Sequence, residues 1–460
     1  MVVLDATVVN IALPSAQQAL HFSDSDRQWV VTAYTLGFGS LLLLGGRLSD
    51  LFGRRRTLII GLVGFAVASA AGGAAQSFTT LIAARAVQGI FAAILAPAAL
   101  SLLTTTFTDP KERGTAFGVF GAIAGAGAGI GLLLGGFLTE YLSWRWCLYV
   151  NLVIAVVAVT GVLVLLSTHA RSRPRLDIRG TQTGTAGLFA VVYGFSEADR
   201  VGWGASSTLA FLAAGVALLA IFTAIERRSE HPLLPLWIVA DRNRGGSLLA
   251  MFTTAIGMFA VFLFLTFYLQ RTLSYSPVKT GFAFLPMVGA LIATSTTSST
   301  VLLPRIGPRR LVPTGMLLAA IGMVLLTQLD THSTYAAHVL PGLIVLGLGL
   351  GLVFAPAFNT ATLGIDRDDS GVGSATVNTA QQIGASLGTA LLNTIATTAT
   401  TTFLAGKAAS PGVVADAAVH GYTTAFWWAA AIFATGAVIC GLLLRPGAPS
   451  LEPAVELAPA

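Results

Sequence analysis

The feature that most constrains this chain is the recurrence of apolar runs, about 20 residues each, along nearly its whole length. Each run is long enough for one helical crossing of a hydrocarbon core about 30 Å thick. Lipid offers backbone N–H and C=O groups no partners, so such runs must be helices and not open strands. Fourteen helices are expected, over 1–19, 28–49, 57–75, 79–104, 114–139, 146–167, 181–197, 207–226, 246–270, 280–303, 311–329, 338–364, 374–399 and 421–444. The seventh and thirteenth give the weakest signal, being short or rich in Thr, Asn and Gln.

Composition points the same way. A chain of 460 residues that is 55% hydrophobic and 10% charged is too apolar for a soluble protein. Its 50 glycines suit helices that pack closely in lipid through small residues. Cys147 and Cys440 both fall in apolar runs, which argues against a disulfide framework. The basic residues are scattered over short loops, so they read as topology signals and not as a nucleic-acid surface. With the N-terminus in the cytoplasm, nineteen Lys and Arg face that side and six face the other, Arg85 lying inside a helix. The positive-inside rule therefore puts both termini in the cytoplasm.

Enzyme signatures fail on context. Gly384-Ala385-Ser386-Leu387-Gly388 matches the G-x-S-x-G pattern, but it lies in a continuous helix where a strand–turn–helix elbow is needed. None of the three lysines follows the glycine spacing of a nucleotide-binding loop. The six histidines show no metal-ligand spacing. No catalytic residue, metal or cofactor is expected.

The most charged loop between apolar runs is Gly46 to Leu58, G-R-L-S-D-L-F-G-R-R-R-T-L. Its glycines set a tight turn, and Asp50 with Arg54, Arg55 and Arg56 can clamp neighbouring helix ends. Gly53, the arginines after it and Gly61 are echoed by Gly307, Arg309, Arg310 and Gly315 at a constant offset of 254, with Pro304 in place of Asp50. The echo suggests two related six-helix halves. The expected organisation is residues 1–170 as the first half and 171–245 as an inserted pair of helices with cytoplasmic linkers at His169–Arg179 and Glu226–Arg244. Residues 246–445 form the second half and 446–460 a disordered tail.

An ordered set of motifs carries a resemblance. Leu4-Asp5-Ala6-Thr7-Val8-Val9-Asn10-Ile11-Ala12-Leu13-Pro14 opens the chain, and Arg85-Ala86-Val87-Gln88-Gly89 follows in the fourth helix. Trp144-Arg145-Trp146 precedes Asn151, and Phe267-Tyr268-Leu269-Gln270 precedes Tyr275-Ser276-Pro277. With the Gly46–Leu58 loop, these resemble the fourteen-helix drug:proton antiporters of the major facilitator superfamily. The chain departs from that pattern at Leu132, Val153 and Gln381, where the family favours proline, proline and arginine. It also begins four residues ahead of Asp5, so the first helix reads as truncated and the start as lying upstream of Met1. The resemblance implies an all-α integral membrane protein of the major facilitator fold. It also implies proton-driven efflux of amphiphilic drugs or antibiotics, cationic ones included, by a monomer in a bacterial cytoplasmic membrane, with no nucleic-acid partner. A metabolite exporter or uniporter with altered coupling, and a non-transporting receptor or inactive paralogue, remain as alternatives.

Site residues follow from the same reading. Asp5 and Arg85 are the clearest ionisable groups inside apolar runs, where a charge costs roughly 2.5–3.5 kcal/mol on insertion scales. With Gln88 and Asn10 they are the candidates for proton coupling and substrate. The alternatives are an Asp5 hydrated near a helix end and an Arg85 satisfying backbone carbonyls. The resemblance makes Gly46, Asp50, Gly53, Arg54 and Arg113 a conformational latch, against a reading as ordinary solvated loop charges. Gly121, Gly125 and Gly129, with a second row of Gly127, Gly131 and Gly135, read as packing or bending positions of the fifth helix. Asn378, Gln382, Ser386, Thr389 and Asn393 share one helical face, lining either a cavity or a hydrogen-bonded helix seam.

Overall fold

The computed structural model describes residues 1–22, 24–107, 109–166, 177–230, 232–408 and 410–447. Regular structure among them is helical throughout. The long helices are α1 (Val2–Leu20), α2 (Asp24–Phe52), α3 (Arg54–Gly73), α4 (Phe78–Thr106), α5 (Pro110–Tyr141), α6 (Trp146–Leu165), α7 (Ile178–Val201) and α8 (Ser206–Glu226). After a short helix at Leu236–Ala240 come α9 (Arg242–Ala260), α10 (Pro277–Thr297), α11 (Pro308–Leu326), α12 (Leu340–Thr362), α13 (Ser370–Leu404) and α14 (Pro411–Leu443). Helix α9 continues through π-helical turns at Val261–Leu265 and Tyr268–Thr272, and α10 through one at Ser298–Leu302.

Eleven spans among the described residues are long and apolar enough to cross a membrane. Helices α1, α7 and α13 fall outside that set. The apolar part of α1 is only Val2–Leu13, and α7 and α13 are diluted by Thr, Ser, Gln and Gly. Length and apolarity thus support eleven crossings where the sequence pattern gives fourteen.

Several helices start earlier than their apolar runs because polar caps extend them. Ser410 accepts a hydrogen bond from Val413 N at 3.4 Å, and Pro411 at the first position starts α14 ten residues ahead of expectation. Asp241 accepts from the backbone N–H groups of Asn243 and Arg244, both at 3.0 Å, so the expected linker already contains the start of α9. Asp177 caps α7 in the same way. The rest of the first linker, residues 169–176, and the tail from 448 to 460 lie outside the described residues.

Helices α1 to α6 pack on one another, chiefly α2 and α3 on α4, α1 on α5 and α3 on α6. Helices α9 to α14 do likewise, chiefly α11 on α12 and α14, α10 on α12 and α9 on α13. The two groups meet where α5 lies on α10 and α2 on α13. Helices α7 and α8 form a hairpin that leans through α7 on α2 and α13.

The sequence echo has a structural counterpart. Gly53 and Gly307 each precede a helix with positive φ, +89° and +72°, a conformation open chiefly to glycine. A Cβ at Gly61 would meet Leu95 Cα at 3.0 Å, and one at Gly315 would meet Gly349 O at 2.7 Å. Leu95 and Gly349 are themselves 254 apart, so contact and sequence repeat together.

Candidate functional site

A buried polar network joins five helices of the first group. Asp5 projects from α1, and the helical spacing of three puts Arg85 and Gln88 on one face of α4. Arg85 Nη1 donates to Asp5 Oδ2 at 2.6 Å and to Gln88 Oε1 at 2.5 Å. Gln88 Nε2 donates to Asp5 Oδ1 at 2.8 Å and to Ser69 Oγ of α3 at 2.5 Å. Asn151 of α6 donates a third hydrogen bond to the carboxylate, at 2.7 Å. Arg85 Nε donates to the Val30 carbonyl of α2, and its guanidinium lies 4.4 Å from the centre of the Tyr34 ring. Asp5 is 0% exposed and Arg85 1%, which rules out a hydrated Asp5 at a frayed helix end.

The sequence picked out Asp5, Arg85 and Gln88, and they do meet. Asn10 does not join them. Five residues beyond Asp5 it sits about 140° round the helix, and it is exposed. Ser69, Tyr34 and Asn151 complete the network; only Asn151 carried a sequence signal, its place after Trp144-Arg145-Trp146. The result is a carboxylate with paired charge and fixed donors in a buried site. Removing one partner of such a pair typically costs about 3–5 kcal/mol, because the other charge is left uncompensated.

The expected Gly46–Leu58 loop is the end of α2 and the start of α3, joined at Gly53, and a second cluster surrounds this junction. Asp50 accepts from the backbone N–H groups of Gly371 and Val372 at 3.0 and 3.3 Å. These are unpaired first-turn amides of α13, so a carboxylate on α2 caps a helix of the other group, with the helix dipole in its favour. Gly46 makes this approach close: a Cβ there would lie 2.5 Å from Gly371 O. Arg54 donates to Ser101 Oγ at 2.7 Å, lies 3.6 Å from Asp50 Oδ1, and Ser101 in turn bonds Ser370 at 2.7 Å. Arg113 of α5 donates to Asn359 Oδ1 and Thr362 Oγ1 of α12, both at 2.9 Å. Arg47, which the sequence did not single out, pairs with Asp369 at 3.1 Å. Burial holds the Asp369 carboxyl above its usual range, against the pull of Arg47. Gly46, Asp50 and Arg113 therefore touch the other group of helices directly and Arg54 is linked to Ser370 through Ser101, whereas Gly53 sets the turn between α2 and α3.

The glycine rows of α5 face different partners. Cβ atoms at Gly121, Gly125 and Gly129 would run into Ser295, Leu291 and Val288 of α10. Cβ atoms at Gly127, Gly131 and Gly135 would point at Val3, Thr7 and Val8 of α1. On α13, Gly384 and Gly388 pack on Phe252 and Ile256 of α9. The polar stripe is half-buried, and the Asn378, Ser386 and Thr389 side chains bond carbonyls of their own helix at 2.8–2.9 Å.

Residues 1–389 match the family model described as Major Facilitator Superfamily. The chain belongs to the major facilitator superfamily. This major facilitator protein is 52% identical over 447 residues to the puromycin resistance protein pur8 of Streptomyces alboniger, covering 96% of this chain and 89% of that one. It is 37% identical over 399 residues to the cephamycin export protein CmcT of Amycolatopsis lactamdurans, with 86% and 82% covered. To the tetracenomycin C resistance and export protein of Streptomyces glaucescens it is 34% identical over 397 residues, with 86% and 73% covered. Among solved structures it is similar to the proton:xylose symporter XylE, with a TM-score of 0.69, 14% identity, and 98% and 94% covered. Identity that low shows the fold alone. As a major facilitator protein the chain is a multi-pass membrane transporter of helical architecture, not an enzyme.

Proposed function

We propose that this transporter exports an amphiphilic antibiotic or drug from a bacterial cell, driven by proton influx, by alternating access. The observation that carries the reading is the fully buried carboxylate of Asp5, held by Arg85, Gln88 and Asn151. Asp5 is the proton carrier in this reading. Protonation cancels its charge and frees the Arg85 guanidinium, so it changes the packing of α1 against α4 and α6. The Asp50–Gly371 cluster is the latch that holds one access state, and the half-buried stripe of Asn378, Gln382, Ser386 and Thr389 lines the substrate path. The export direction rests on the relatives named for antibiotic resistance and export.

The same reading keeps fourteen crossings, with α1, α7 and α13 shielded from lipid by their neighbours, and both termini in the cytoplasm. Helices α1–α6 and α9–α14 then form two halves, with α7 and α8 inserted between them, in a monomer in the cytoplasmic membrane.

The test is efflux from vesicles with an imposed proton gradient, using puromycin and a lipophilic cationic dye. Asp5→Asn keeps size and much of the hydrogen bonding but cannot carry a proton. Gradient-driven efflux of the cation is expected to be abolished at normal expression and folding, with Asp5→Glu retaining part of it. Wild-type rates with an unchanged pH profile in Asp5→Asn would remove Asp5 from the mechanism.

A further inference from the structure

At the base of the α7–α8 hairpin two carboxyl groups converge far from Asp5. Asp177 caps α7, its Oδ1 accepting from Gly180 N at 2.9 Å. Glu226 ends α8, its Oε2 accepting from Leu234 N at 3.0 Å. Each group keeps one buried oxygen, Asp177 Oδ2 and Glu226 Oε1, that accepts nothing from the described residues. Both oxygens point at Gly180: a Cβ there would collide with Glu226 Oε1 and lie 3.0 Å from Asp177 Oδ2. Glu226 is only 4% exposed. We propose that Asp177 and Glu226 are a proton-binding carboxyl pair, in which Glu226 Oε1 and Asp177 Oδ2 share one proton.

The chemistry follows from the geometry. Two carboxylates that flank the same glycine in a largely buried site repel, and among the described residues no donor is hydrogen-bonded to either free oxygen. One proton converts that repulsion into an O–H···O hydrogen bond and leaves the pair with a single negative charge. Release sends the proton to solvent and leaves two negative charges. The buried cation from the neighbouring α2 is Arg47, whose charge acts on Glu226 and whose Nε finds no acceptor among the described residues while its Nη1 holds Asp369. Asp369 has Asp366 and Asp368 beside it, whereas Arg179, Arg227, Arg228 and Glu230 on the hairpin and its exit are exposed. Deprotonation of the pair therefore draws Arg47 away from Asp369 and slackens the tie between α2 and the start of α13. The hairpin thus carries a proton sensor for the latch, independent of whether Asp5 carries the transported proton.

Glu226→Gln and Asp177→Asn test it on the full-length protein. Each amide can donate to the remaining carboxylate and mimic the protonated pair, and Asn still caps α7. Infrared pH titration should show, in the wild-type-minus-variant difference for both variants, a protonated-carboxyl absorption at neutral pH that bleaches on alkalinisation. Absence of that difference band for either variant overturns the shared proton. Hydrogen exchange over residues 366–376 reads the link to Arg47. The ratio of wild-type to Glu226→Gln exchange should rise with pH, intrinsic base catalysis cancelling in the ratio. A constant ratio overturns the link to the latch.

Discussion

Asp5 gathers donors from three directions, and they are not equivalent. Arg85 supplies charge; Gln88 is locked between Arg85, Ser69 and the carboxylate; Asn151 donates to the carboxylate through its amide. A hydrogen bond to a charged group is worth about 1.5–3 kcal/mol. Asn151→Ala is therefore expected to displace the pH profile of efflux towards alkaline values by about one unit while substrate binding persists. A superimposable profile in vesicle assays would make Asn151 a packing residue only. Asp5 and Arg85 were legible in the sequence because a charge inside an apolar run stands out. Ser69 and Tyr34 were not, since a neutral polar group in a helix is cheap and its partner lies far along the chain. Asn10 misled because it shares a motif with Asp5 while sitting on another face of α1.

At the scale of elements, α5 is the most informative helix. The spacing of its glycines was legible, but not that one row faces α10 and the other α1, since nothing local encodes the identity of a partner helix. Within the row that faces α1 the tightness varies. At Gly131 a Cβ would collide with Thr7 Oγ1 and come within 2.9 Å of Leu4 O, whereas at Gly127 the nearest atom, on Val3, is 3.9 Å away. Gly131→Ala is expected to destabilise the protein by about 1–3 kcal/mol through overpacking. Gly127→Ala should be neutral or stabilising by up to about 1 kcal/mol, since alanine favours the helix. Thermal unfolding in detergent distinguishes the two, and equal effects would contradict the uneven packing of this row on α1. The caps at Asp241 and Ser410 explain why helix ends were the least legible feature: the apolar run marks the part of a helix in lipid, not where its hydrogen bonds begin.

For the molecule as a whole, the two groups of helices are held at one end by a carboxylate on α2 that caps α13. Asp50→Asn leaves one acceptor where two amides need them, weakening a helix cap and a charge–dipole contact together. We expect a several-fold change in turnover with substrate affinity nearly unchanged. A large loss of affinity at normal turnover would instead give Asp50 a role in recognition. That the loop was important could be read from its charge; that its partner was the start of α13, more than 300 residues away, could not.

The pairing of Asp5 with Arg85 has an electrical consequence. In the proposed mechanism a centre that is neutral at rest acquires a full positive charge with each proton it takes up. Moving that charge across the bilayer lets the membrane potential act on it, by about 2.3 kcal/mol per 100 mV. With the proton on Asp5, exchange for a monovalent cation moves no net charge and is blind to voltage, while exchange for an uncharged antibiotic is electrogenic. The same buried ion pair would thus couple different cargoes to different parts of the proton-motive force.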